Sequence, residues 1–158
     1  MNGNNKIKLP PRIGIGVILV NEKGQMLLGR RTSGHGFDTW GNPGGHLEFG
    51  ESFEACAMRE VREEIGVEIS EPSFLALTSE VYESTQKHYV SVFMVGFLSS
   101  TAPIINREPH KTEEWVWVDM KNPPAPLFPP IQNLVSNNTI VGEYDVESIY
   151  KSLKVPQF

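Results

Sequence analysis

The segment ESFEACAMREVREEIG, residues 51–66, contains no proline, and its one glycine stands at the end. Ser52 is suited to cap its start and Gly66 sits where a C-terminal cap belongs, so a helix is predicted over 51–65. Ala57, Val61 and Ile65 fall four apart with Met58 beside them, forming one apolar stripe. Such a stripe has to be buried against another element, which commits the chain to a layered fold. Glu60, Glu63 and Glu64 are spaced three and four apart and share a face of the same helix. Like charges at this spacing destabilise an isolated helix by about a few tenths of a kcal/mol per pair. Two things can offset the repulsion. Arg59 precedes Glu63 by four residues and can hold its carboxylate. A divalent cation is the other, since a set of carboxylate oxygens suits Mg²⁺ or Mn²⁺. A solvated face with surface ion pairs is the plainer reading of the same residues.

The rest of the chain reads mostly as strands. RIGIGVILV (12–20) is β-branched and apolar, a buried strand. The turn Asn21-Glu22-Lys23-Gly24 leads to QMLLGRR (25–31), read as the returning strand of a hairpin. TSGHGFDTWGNPGG (32–45) has the composition of a loop, long enough to suggest a functional role. FLALTSEVYE (74–83) and HYVSVFMVGFL (88–98) form a pair of strands, and WVWVD (115–119) a further one. KNPPAPLFPP (121–130) is too rich in proline for regular helix or a central strand. Short helices are predicted near 131–136 and 145–153. One strong helix among many strands gives an α/β (α+β) class in a single domain over 12–158, after a flexible lead over 1–11.

A chain of 158 residues buries roughly two thirds of its unfolded surface, enough for its own core. The net charge of −5 argues against gripping a nucleic-acid polymer, which needs lysines and arginines on phosphates. It leaves room for a small phosphorylated ligand held through a cation. The single cysteine, Cys56, excludes an intramolecular disulfide and is read as packed. No apolar run is long enough to span a membrane, and MNGNNKIKLPP lacks the apolar core of a signal peptide. A cytoplasmic protein without a membrane partner is expected.

The wider spacing weighs against the solvated-face reading. Gly45 is followed after five residues by Glu51, and after seven more by Arg59-Glu60-Val61-Arg62-Glu63-Glu64-Ile65-Gly66-Val67. This matches every defined position of the Nudix box, and chance would produce the fixed residues about once in 10⁸ windows. The likeness extends through PGGHLEFGES, LLGRR, HYVSVFM and PAPLFPP. The chain resembles the small MutT-type Nudix enzymes that hydrolyse nucleoside triphosphates. That resemblance implies an αβα sandwich around a mixed β-sheet. It implies Glu60, Glu63 and Glu64 as metal ligands, the Gly44 carbonyl as a further one, and Glu51 supporting the metal shell. Arg59 would orient a glutamate, and Mg²⁺, or else Mn²⁺, would be the cofactor. Glu60, or Glu113 from the acidic stretch EPHKTEEW (108–115), would be the general base, with Glu114 and Glu108 behind Glu113; that stretch equally suits a solvated turn.

For the substrate, the resemblance points to a nucleoside triphosphate, with 8-oxo-dGTP and other dNTPs first. Nucleotide sugars, ADP-ribose, pterin triphosphates and isoprenyl diphosphates are the alternatives, and a nucleotide sensor with little catalysis is an alternative of another class. A homodimer is expected from similar enzymes. Arg31, Gly45, Ser91, Phe128 and Ile131 are candidate substrate contacts. Trp40, with Phe37, either stacks on a base or anchors its loop to the core. His46 and His88 have no metal-ligand spacing and are read as structural. Trp40-Gly41-Asn42 and Pro129-Pro130 depart from the nucleotide-pool enzymes where the base is selected, and leave the phosphoanhydride chemistry untouched.

Overall fold

The computed structural model describes residues 8–153. Of the lead expected over 1–11, only 8–11 fall inside that range, where the chain is exposed and irregular. Strand β1 (Arg12–Val20) is the axis of the molecule. It runs parallel to β6 (Lys87–Phe97), in register from Arg12 opposite Tyr89 to Val20 opposite Phe97. On its other edge Gly14–Gly16 pairs antiparallel with β4 (Gly44–His46). β6 pairs antiparallel with β5 (Ser73–Tyr82), whose outer edge takes the short β8 (Val141–Gly142). A second group is built on β2 (Gln25–Arg31), flanked by β7 (Thr112–Asp119) and β3 (Trp40–Gly41).

The predicted hairpin of 12–20 with 25–31 exists only at its turn, where Val20 faces Met26. Beyond that point the strands part. β1 is apolar on both faces at its centre, which suits a strand enclosed between layers with a parallel neighbour. β6 provides that neighbour along the whole length of β1.

Alternation along β1 sends Ile15, Val17 and Leu19 to one face and Ile18 and Val20 to the other. Helix α1 (Phe53–Ile65) covers the first face with Cys56, Ala57, Val61 and Ile65, all fully buried. Its ends match the prediction: the Ser52 side chain accepts from the Ala55 N–H, and Gly66, at φ +69°, donates to the Arg62 carbonyl. The second face is covered by α2 (Pro129–Val135), through Ile131 and Leu134, and by α3 (Val146–Ser152), through Ile149. The result is the expected αβα sandwich around a mixed sheet. The proline-rich segment is more regular than expected, because Pro129 and Pro130 are the first two residues of α2. The first turn of a helix has no use for their missing N–H groups.

The long loop also holds more structure than its composition suggests, since β3 and β4 lie within it. Gly44 explains why β4 can lie so close to β1. A Cβ at this position would sit 2.1 Å from the Ile15 carbonyl oxygen.

Candidate active site

Arg59 organises the polar face of α1. Its Nε lies 2.5 Å from Glu51 Oε1, and its Nη1 donates to Glu60 Oε1 at 2.8 Å and to Glu63 Oε2 at 3.2 Å. Its Nη2 donates to the His46 carbonyl at 3.1 Å, which ties the helix to the end of β4. One guanidinium thus draws three carboxylates together and pins the preceding loop. Charge-assisted bonds of this kind are stronger than neutral ones. They hold the Glu51 carboxyl at about 2, far below its usual value.

Glu60 is 9% exposed, and its carboxyl group lies directly over Gly45. Burial raises its pKa, opposed by the bond and charge of Arg59. Glu64 accepts from the Gly44 N–H at 3.2 Å. Burial pushes its carboxyl up to about 8, against the pull of that bond, with the charges of Glu60 and Glu108 adding to the shift. Glu63 stands half-exposed at the rim. Among the described residues, no three His, Cys, Asp or Glu side chains already converge on one point as a metal site. Glu60 is turned onto Arg59 and Glu64 onto a backbone amide. The donor set nevertheless fits a hard divalent cation. It consists of carboxylates on one helix face beside side-chain-free backbone, with two of them too deeply buried to stay ionised cheaply.

These groups form one wall of a cavity of about 480 Å³. Gly44, Gly45, Glu60, Glu63 and Glu64 all line it. So does Glu108, whose segment is held against α1 by the Arg107 N–H donating to the Glu64 carbonyl at 3.0 Å. Lys111 Nζ stands 3.2 Å from the Glu108 carboxylate and lines the same wall.

The opposite wall is aromatic. Arg31 lies with its guanidinium carbon 4.1 Å above the Phe128 ring, and its Nε and Nη2 donate to the His35 carbonyl at 3.0 and 2.7 Å. Burial lowers its pKa, and the charge of Glu64 partly restores it. His35 packs edge-on between Tyr82 and Phe128, with ring centroids 3.9 and 6.0 Å away. Its Nε2 is buried with no hydrogen-bond partner. Burial first, and then the Arg31 charge, hold its pKa down. Tyr89 continues the wall and stacks on His46, with centroids 5.7 Å apart. The floor is sheet: Gly14 and Gly16 of β1, Ser91 and Phe93 of β6.

Among the predicted substrate contacts, Arg31, Gly45, Ser91 and Phe128 meet in this cavity. Ile131 does not, being fully buried in the core beneath α2 while the preceding Pro130 reaches the cavity. Trp40 packs into the same core. It serves the site through its backbone, which donates to the Pro126 carbonyl and accepts from the Phe128 N–H at 2.8 Å. Phe37 is exposed and outside the cavity. Glu113 points along β7 to Arg30, 3.9 Å away, so Glu108 is the acid of its stretch that reaches the cavity. Glu51 stands behind Arg59 and outside the cavity lining. His88 bonds the Ser79 hydroxyl, whereas His46, read as merely structural, lines the cavity. His35, Tyr82, Tyr89 and Lys111 were not singled out from the sequence. For Tyr89 a signal existed, since it is two residues from Ser91 on one strand and so shares its face.

A family model described as NUDIX domain matches residues 10–137. The chain belongs to the Nudix family. An RNA pyrophosphohydrolase of Hydrogenovibrio crunogenus is 30% identical over 141 residues, covering 78% of this chain and 79% of that protein. The NAD-capped RNA hydrolase NudC of Stutzerimonas stutzeri is 31% identical over 116 residues, covering 73% of this chain and 40% of that protein. Among solved structures, the MutT NUDIX hydrolase of Burkholderia pseudomallei superposes with a TM-score of 0.69 at 26% identity, over 75% of this chain and 91% of that one. The cavity is therefore the candidate active site of a Nudix hydrolase.

Proposed function

We propose that this Nudix hydrolase cleaves a phosphoanhydride of a free nucleoside triphosphate, giving a monophosphate and pyrophosphate, with Mg²⁺ as its cation. The observation that carries the reading is the division of one cavity into two chemical halves. Carboxylates crowd the α1 wall, while Arg31, Phe128 and an aromatic run form the other. The first half suits a diphosphate with its cation, and the second suits a base. Glu60, Glu63 and Glu64 would hold the cation. When bound, it would neutralise phosphoryl charge and lower the pKa of a coordinated water.

The remaining roles fall to the chain itself. Lys111, on the carboxylate wall, holds phosphate oxygens through charge-assisted bonds, and Arg31, stacked on Phe128, borders the base. Glu108 accepts a proton from the attacking water as the water oxygen bonds phosphorus and the bridging P–O bond breaks. The electron pair of that bond leaves with the departing phosphate group. Arg59 keeps Glu60 and Glu63 in place, and Glu51 keeps Arg59 in place. The expected homodimer and cytoplasmic setting belong to the same proposal.

A second reading, that the phosphoanhydride is carried at the end of an RNA, is favoured by the names of the two relatives. The net charge of −5 weighs against it. The test is incubation with Mg²⁺ and a panel of dNTPs, 8-oxo-dGTP, ADP-ribose, GDP-mannose, geranyl diphosphate and 5′-triphosphorylated RNA, with Glu64→Gln as control. A monophosphate plus pyrophosphate from a free triphosphate, missing in the control, supports the proposal. Cleavage confined to the RNA end establishes the second reading, and cleavage confined to ADP-ribose, GDP-mannose or geranyl diphosphate overturns both.

A further inference from the structure

Beside the cavity floor, on the same face of the sheet as Ser91, lies a carboxylate that the proposed hydrolysis does not use. Glu80 of β5 is 4% exposed. Its Oε2 accepts from the Ser91 hydroxyl at 2.7 Å, and its Oε1 accepts from the Asn133 side-chain amide at 3.2 Å. Asn133 is oriented in turn, because its Oδ1 accepts from the Asn138 amide at 3.2 Å. Every donor in this chain points towards Glu80. A serine hydroxyl has one proton and two lone pairs. With the proton spent on Glu80, Ser91 offers the cavity lone pairs alone.

Ser91 is only 7% exposed, but it lines the cavity, so these lone pairs are what a ligand bound there would meet. Gly14, opposite Ser91 in the register of β1 with β6, has no side chain, and even a Cβ there would lie 4.0 Å from the Ser91 oxygen. Thr78, opposite Ser91 on β5, has a buried hydroxyl with no hydrogen-bond partner, so it does not take the position either.

We propose that Glu80 fixes Ser91 as an obligate acceptor, so that the cavity floor selects a nucleobase presenting an exocyclic amino group over one presenting a carbonyl. Ser91 touches the ligand, and Glu80 is a positioning residue acting through it. The inference rests on the reading of the cavity as a nucleotide site. An amino group placed against Ser91 completes a hydrogen bond. A carbonyl there sets oxygen against oxygen with no proton between them, and a site built for one partner rejects its analogue.

Glu80→Gln reverses the polarity. If Asn133 keeps its bond, the Gln amide oxygen must face Asn133. The amide nitrogen then faces Ser91 and donates to it, and the serine proton turns outward to the cavity.

The experiment compares kcat/KM for dCTP against dUTP, dATP against dITP, and dGTP against dXTP, and Kd for the corresponding monophosphates. Wild type, Glu80→Gln and Ser91→Ala are measured together. In the pair containing the best substrate, wild type favours the amino member about tenfold, the scale of one net hydrogen bond. Glu80→Gln brings that ratio to one or below, and Ser91→Ala abolishes the discrimination. Should Glu80→Gln fail to fold, Ser91→Ala, which leaves the Glu80–Asn133 bond in place, must still remove the preference. A wild-type ratio near one, an unchanged ratio in a folded variant, or no binding of any monophosphate overturns the inference. Discrimination among monophosphates without cleavage of any triphosphate overturns only the proposed reaction. Cleavage without discrimination overturns only the role of Glu80.

Discussion

Glu60 and Glu64 lie four residues apart on one face of α1, yet their restraints differ. Glu60 is held by a guanidinium and Glu64 by a single backbone N–H. Glu63→Gln and Glu64→Gln preserve shape and remove one charge each. Both are expected to lower kcat on the order of 10²-fold or more, with far-UV circular dichroism unchanged; near-normal turnover in both would dispose of the metal-site argument. Gly45 is a sharper probe of geometry. A Cβ there would fall 2.2–2.6 Å from the carboxyl atoms of Glu60, so Gly45→Ala must push that carboxylate away. The expected outcome is a marked loss of kcat in a protein that still folds, checked by steady-state kinetics and a melting curve. The general base is decided by comparison. Glu108→Gln should cost on the order of 10²-fold in kcat, while Glu113→Gln leaves the rate near wild type, because Glu113 faces Arg30 and not the cavity. The opposite ranking would return the role to Glu113.

Helix α1 carries both a structural and a chemical burden, and its ends serve the first. Ser52→Ala removes the side-chain acceptor at the N-cap and is expected to cost about 1 kcal/mol. Gly66→Ala places a Cβ at φ +69°, a conformation only glycine adopts freely, at a cost of about 1 kcal/mol. Urea midpoints read both changes. The Glu51–Arg59 bond, which joins the helix to the loop before it, is sensitive to acid. Glu51 is held at about 2 in the folded chain, against 4.5 for the free group. A carboxyl depressed on folding contributes stability above its unfolded value and loses it as pH falls through its folded value. The contribution is therefore complete above pH 4.5 and disappears between 4.5 and about 2. Glu51→Gln should be less stable than wild type near neutral pH, and the two denaturation midpoints should converge as the solution approaches about pH 2. A gap that persists there would mean the loss comes from packing and not from charge.

At the scale of the whole molecule, the sandwich brings α1, the 106–112 segment, the β5–β6 end and the start of α2 to a single cavity. A cation that binds the folded chain alone must stabilise it, by about 2.7 kcal/mol at a hundred times its Kd. Millimolar Mg²⁺ or Mn²⁺ should raise the melting temperature by several degrees in wild type and by much less in Glu64→Gln. Equal shifts in both would place the cation elsewhere.

Much of this arrangement was legible in the sequence because it is local. The period of the stripe Ala57–Val61–Ile65, the caps Ser52 and Gly66, and the spacing from Gly45 to Glu64 all lie within one short segment. They specify a helix with three carboxylates on one face wherever that helix docks. The β-branched runs likewise announced β1, β5 and β6. What the sequence left open depends on which strand lies beside which. Periodicity could not reveal that β1 leaves β2 after one pair to run beside β6. That pairing sets Gly14 against Ser91 and forms the cavity floor. Nor could spacing distinguish Glu108 from Glu113, since the outcome rests on backbone bonds from Ile105 to Ile65 and from Arg107 to Glu64 that hold the segment against α1. The Ser91–Glu80–Asn133 bonds join residues up to 53 positions apart. Contacts of that range are set when the layers pack, by the exclusion of water and the pairing of buried polar groups, and no local pattern encodes them.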